Sequence, residues 1–103
     1  MASFFVYLVK TARDTLYTGI STDPVRRTEE HNHSPRGARA LRGQRPVQLI
    51  WQSAHALPRG EALRLEHRIK KLPRHMKLSL IAGELSLDDK PAESGSDAPR
   101  AQG

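Results

Sequence analysis

Phe4-Phe5-Val6-Tyr7-Leu8-Val9, followed after the polar Thr11-Ala12-Arg13-Asp14 by Thr15-Leu16-Tyr17-Thr18-Gly19-Ile20, is the stretch on which the fold turns. Both runs are rich in β-branched and aromatic residues, which suit a pleated surface, and a short polar break separates them. The pattern predicts a β-hairpin. With its register centred near Ala12, Tyr7 lies across from Tyr17, and cross-strand partners project from one face of a sheet. Two phenols then emerge side by side.

Downstream, Thr22-Asp23-Pro24 is a helix start, because Asp23 can accept from the free amides of the first turn and Pro24 suits the first helical position. The helix should run to about His33. Between Pro24 and His33 it has little apolar besides Val25, so burial alone does not place it, and its polar face is expected to have another use. Ser34 to Pro46 holds two prolines besides its glycines and reads as a loop, with Arg36, Arg39, Arg42 and Arg45 as its only charges. Val47 to Ala54 reads as a third strand, setting Val47, Leu49 and Trp51 against Gln48, Ile50 and Gln52. Pro58 to Leu72 aligns Ala62, Leu65, Ile69 and Leu72 on one stripe of a core helix, and Arg74 to Ala82 forms a shorter helix closed by Gly83. The expectation is an α/β (α+β) domain: a small three-stranded, mostly antiparallel sheet flanked by helices.

A chain of 103 residues can build one modest core but not two plus a linker. The predicted division is a folded unit at residues 1–83 and an acidic, disordered tail at 84–103. Charge follows that division. Residues 1–83 carry 15 Lys and Arg against 6 Asp and Glu, a balance of +9, whereas residues 84–103 carry 2 against 5, a balance of −3. So basic a unit attracts polyanions through counterion release, and nucleic acid is the expected partner. A membrane is not, since there is no long apolar span and no amphipathic helix with a broad aromatic face. Lacking a signal-peptide pattern, the chain is expected to be cytoplasmic. Cysteine is absent, which excludes disulfide-linked partners and thiolate chemistry, and any metal must be held by oxygen or imidazole.

The singled-out positions converge on a family. Val6-Tyr7-Leu8, then Tyr17-Thr18-Gly19, then Asp23-Pro24-Val25-Arg26-Arg27 with His31-Asn32, and finally Ala62-Leu63-Arg64-Leu65-Glu66 on the core helix resemble, in order and spacing, the GIY-YIG endonuclease domain and its small stand-alone bacterial members. The resemblance spans roughly Phe4 to Leu80. Two departures stand out: the first triplet has no glycine, and Thr18 stands where isoleucine is usual.

The resemblance implies a site. Glu66 would be the protein's sole metal ligand, holding Mg²⁺ or Mn²⁺, which suits an ion that keeps most of its waters. By the helical repeat Glu66 lies about 80° from the centre of the apolar stripe, at the border of the core. An ion pair with Lys70 one turn on is the plainer use of the same carboxylate. Arg27 would stabilise phosphoryl charge and His31, four residues on, would contact phosphate or transfer a proton, unless both simply decorate a solvated helix face. Tyr7 would assist the attacking water and Tyr17 would position water or phosphate, although strands favour tyrosine for packing alone. A phenol with a pKa near 10 is a poor base at neutral pH, so Tyr7 would need help from Arg27, the metal or a water. Gly19 permits a close approach beside Tyr17, or marks a bulge.

Arg26, Arg36, Arg39, Arg42, Arg45, Arg68, Lys70 and Lys71 are candidate phosphate contacts, giving affinity without sequence readout; solubility is the alternative use of such charges. The expected function is metal-dependent hydrolysis of DNA phosphodiester bonds with low sequence specificity, in repair or processing. Its rival is a DNA- or RNA-binding module that keeps the fold without useful turnover.

Overall fold

In the computed structural model, residues 2–34 and 39–87 are described, the side chains of residues 39, 40 and 42 excepted. Strands β1 (Ser3–Lys10) and β2 (Leu16–Ser21) form the hairpin, followed by helix α1 (Pro24–His33), a 3₁₀ segment (Arg39–Gln44), β3 (Gln48–Gln52), β4 (Leu57–Pro58), α2 (Arg59–Lys70) and α3 (Arg74–Ile81). β1 is central, with β2 on one side and β3 and the two-residue β4 on the other, all antiparallel. The expected three strands are present and β4 adds a fourth.

The hairpin register differs by two residues from one centred on Ala12. Tyr7 pairs with Gly19 and Tyr17 with Val9. The turn fixes this: the Thr11 amide donates to the Thr15 carbonyl at 2.9 Å, and Asp14 takes the left-handed conformation at φ 63°. Aspartate tolerates that region better than most residues. Because side chains alternate with a period of two, a two-residue shift leaves both tyrosines on the same face.

Two apolar clusters follow from this alternation. Val6 and Leu8 of β1 pack with Leu57, Ala62, Leu65, Ile69 and Leu80, so α2 and α3 cover one face of the sheet. Tyr7 and Val9 face the other way and pack with Leu41 of the 3₁₀ segment, Val47, Tyr17 and Leu49. On that face α1 docks through polar residues. Its buried residues are Pro24, Thr28 and His31, while Val25 stays 62% exposed. The Thr28 hydroxyl donates to the Pro24 carbonyl at 2.8 Å, so its burial leaves no orphan group.

β3 departs from simple alternation. Leu8 pairs with Trp51 but Val9 pairs with Leu49, so Ile50 is extra, a β-bulge. Ile50 and Trp51 therefore both pack on the α2 side, and Leu49 alone of these three joins the Tyr7 face. Val47, Leu49 and Trp51 do not share one face. Beyond β3 the pairing continues through Ser53, whose amide donates to the Val6 carbonyl at 2.8 Å and whose hydroxyl accepts from the Val6 amide at 3.1 Å.

α3 ends as predicted, with Gly83 at φ 83°, its amide donating to Leu80 and the next amide, of Glu84, to Ser79 at 2.9 Å. The start of α3 reaches back to the hairpin, where Arg74 donates to the Asp14 carbonyl at 2.9 Å. Past Gly83, Leu85 and Leu87 still pack against the α2-side cluster. The rest of the expected tail, residues 88–103, lies outside the described residues.

Candidate active site

The hairpin puts Tyr7 and Tyr17 on the face that α1 covers, and α1 brings His31 against both. The Tyr7 hydroxyl lies 2.9 Å from His31 Nε2, and both residues are 1% exposed. The Tyr17 ring meets the His31 ring edge-on at a centroid distance of 5.8 Å. Burial lowers the His31 pKa, and the nearby Arg27 and Arg45 push it the same way. Burial thus favours the neutral imidazole, and in the tautomer protonated on Nδ1 its Nε2 accepts from the Tyr7 hydroxyl.

Burial raises the Tyr7 pKa far above the ordinary phenol range, and the neighbouring Tyr17 adds to the rise. Arg27 opposes it by charge and by a hydrogen bond to the phenol, and Glu66 contributes a small push upward. Arg27 thus acts in the expected direction and is outweighed by desolvation. Its own guanidinium is held by Glu30, 2.8 Å away, which raises the Arg27 pKa and lowers that of Glu30.

Gly19 has a direct explanation. A Cβ there would lie 2.7 Å from the Tyr7 phenol oxygen and 2.8 Å from Cζ. The Tyr7 ring therefore reaches across Gly19, over the edge strand β2. The close approach that a missing Cβ allows is made by Tyr7 itself.

Glu66 comes from α2, which packs on the opposite face of the sheet along β1 and β2. Its side chain is 16% exposed, its Oε2 lies 3.3 Å from Lys70 Nζ, and its charge is felt at Tyr7. The ion pair with Lys70 expected as the plainer use of Glu66 is present. Among the described residues no group of three or more His, Cys, Asp or Glu could enclose a metal. A partly exposed single carboxylate fits a hydrated Mg²⁺ or Mn²⁺, not a closed protein cage.

The basic candidates divide. Arg26 is exposed and pairs with Glu30 at 3.3 Å and Asp23 at 3.9 Å. Arg45 spends two donors on the end of α1, Nε on the His31 carbonyl and Nη2 on the Ser34 carbonyl. Arg68 and Lys71 are exposed on and just after α2, and Lys70 holds Glu66. Arg36 and the side chains of Arg39 and Arg42 lie outside the described residues.

Three participants have no role that the sequence alone assigns. Glu30 is legible in hindsight, being three residues from Arg27 and four from Arg26. Gln52 sits across β1 from Tyr7 and Asn32 grips Val47, and both depend on long-range pairing that no local pattern reveals.

Sequence comparison decides what this arrangement belongs to. A family model of the GIY-YIG catalytic domain matches residues 3–79. The chain belongs to the GIY-YIG family. Its domain is therefore of nuclease type, in which nucleic acid is the substrate. The GIY-YIG chain is 46% identical over 85 residues to a UPF0213 protein of Vibrio cholerae, covering 82% of this chain and 83% of that one. It is 45% identical over 82 residues to the UPF0213 protein YhbQ of Escherichia coli K12, covering 80% of each. A UPF0213 protein of Aeromonas hydrophila is 50% identical over 78 residues, which are 76% of this chain but only 56% of that longer relative. The solution NMR structure of a UPF0213 protein from Bacillus halodurans is 34% identical, covers 80% of this chain and 85% of that one, and superposes with a TM-score of 0.49. Among the described residues no helix is long and apolar enough to cross a membrane.

Proposed function

We propose that this GIY-YIG domain hydrolyses DNA phosphodiester bonds with one divalent metal and low sequence specificity, as a repair or processing enzyme. The supporting observation is the phenol of Tyr7, held between the Arg27 guanidinium and, at 2.9 Å, the neutral His31 imidazole. A phenolate base alone is opposed by burial. With His31 as acceptor, Tyr7 can take the proton of the attacking water on a free lone pair while passing its own to Nε2, so no isolated phenolate forms. Arg27 stabilises the charge gathering on the phosphoryl oxygens, and the half-buried Tyr17 orients phosphate or water. Glu66 would hold Mg²⁺ or Mn²⁺, which supplies positive charge at the phosphate. The basic surface, Arg26, Arg68 and Lys71 included, contributes salt-sensitive affinity.

A second reading is favoured by the 1% exposure of Tyr7: a nucleic-acid-binding module that keeps the fold without useful turnover. One experiment separates the two. Plasmid, single-stranded and branched DNA are incubated with the parent protein and Glu66→Ala, with and without Mg²⁺. Metal-dependent nicking by the parent and none by the variant is the expected result. Salt-sensitive binding that survives Glu66→Ala, with no cleavage by the parent in any metal, selects the second reading.

A further inference from the structure

His31 can serve Tyr7 only if the last turn of α1 keeps its distance from the sheet. A helix end is ordinarily its weakest part, because the last four carbonyls have no partners within the helix. Here Asn32 closes a two-way pair with the main chain of Val47: Asn32 Nδ2 donates to the Val47 carbonyl at 2.9 Å, and the Val47 amide donates to Asn32 Oδ1 at 2.7 Å. A side-chain amide thus does what a neighbouring strand would do, one residue before β3 begins. Val47 is 5% exposed and packs in the same cluster as Tyr7 and Val9. The linkage from Asn32 through Val47 to the sheet therefore sets where the adjacent His31 sits. Arg45 reinforces it by donating to the carbonyls of His31 and Ser34, a favourable place for a cation at a helix C-terminus.

We infer that Asn32 is a positioning residue: by tying the final turn of α1 to Val47 it holds the His31 imidazole at hydrogen-bonding distance from Tyr7. The chemistry is specific to asparagine, which presents one donor and one acceptor side by side. Aspartate keeps the acceptor for the Val47 amide but turns a second oxygen toward the Val47 carbonyl, and alanine supplies neither partner. The kinetic consequence rests on the hydrolytic function proposed above, whereas the geometric one does not.

The test uses the full chain, ¹⁵N-labelled at histidine, as the parent, Asn32→Ala and Asn32→Asp, with cooperative unfolding confirming that each is folded. In the parent, His31 Nε2 gives the signal of an unprotonated acceptor, and its titration midpoint lies below the ordinary histidine range. In Asn32→Ala the signal moves toward tautomer averaging and the midpoint rises toward the ordinary value. Cleavage falls about 10-fold in kcat, as for a reacting group displaced by a fraction of an ångström, with KM within about two-fold, since phosphate binding is untouched. A folded Asn32→Ala with the parent's His31 spectrum and titration overturns the inference. If that variant does not fold, Asn32→Asp, which keeps the side-chain volume, takes its place: a shifted His31 signal supports the positioning role and an unchanged one overturns it. A parent that cuts no DNA yet shows the His31 change upon substitution sinks the hydrolytic function and leaves the positioning role standing.

Discussion

The phenol of Tyr7 occupies the space where a side chain at position 19 would begin, with 2.7 Å between its oxygen and an ideal Cβ on Gly19. No real Cβ tolerates that separation. Gly19→Ala should therefore displace a buried tyrosine, costing about 1–3 kcal/mol as overpacking usually does. Urea unfolding reads the loss, and cleavage should fall with it. A variant as stable and active as the parent would show that Tyr7 is free to move aside.

Stability should decline as the medium is acidified, and His31 gives the sign. Its folded-state pKa is depressed from 6.5 by burial, so between the two values the unfolded chain binds the extra proton. The contribution is complete above the unfolded pKa and is lost as pH falls toward the folded one. Urea midpoints measured from pH 7.5 downward should drop, and more steeply than in His31→Gln, which cannot take up that proton. Parallel slopes would mean that His31 does not titrate differently on folding.

Glu30 restrains the guanidiniums of Arg27 and Arg26, at 2.8 Å and 3.3 Å. Glu30→Gln removes one negative charge from beside both, so DNA binding should tighten a few-fold at low salt and its salt dependence should steepen by about one counterion. Stability should change little, since the pair is solvated. Fluorescence anisotropy with a short duplex across a salt series checks both. Weaker binding would mean that Glu30 presents Arg27 to the phosphate.

The Thr18 hydroxyl is buried without a hydrogen-bond partner among the described residues. Thr18 pairs with Leu8 and so faces the apolar side under α2. Thr18→Val keeps the branched shape and removes the orphan group, which should stabilise the fold by about 1 kcal/mol. A thermal transition lower than the parent's would show that the hydroxyl is satisfied after all.

The hairpin, the Asp23 start of α1, the Ala62, Leu65 and Ile69 stripe of α2 and the Gly83 stop were legible, because each is encoded by neighbours in the chain, whereas Leu72 falls beyond the end of α2 and outside its core cluster. The tyrosine pair was legible to the correct face but not to the correct partner, since the Asp14 turn shifts the register by a full period. The bulge in β3 was not legible: an extra residue leaves the written alternation of Val47 to Gln52 unchanged while altering which side each residue meets. For the site, the strand pattern put Tyr7 beside Tyr17 and the helical repeat put Arg27 on one face with His31, while bringing the two pairs together was implied by the family resemblance. The occupations of Arg45 and Asn32 did not, because their partners lie 14 and 15 positions away in sequence.

The extra residue at Ile50 also decides what stands next to the phenols. With unbroken pairing from Val9 and Leu49 onward, the indole of Trp51 would sit opposite Tyr7 and the amide of Gln52 would be pressed into apolar packing beneath α2. The insertion exchanges them, so that Tyr7 has Gln52 as its cross-strand neighbour and Trp51 is stowed on the far side. Excising Ile50 would leave Trp51 opposite Leu8 and Gln52 opposite Tyr7 in a straight ladder, whereas flattening the bulge with Ile50 in place would swing the indole in beside the phenols.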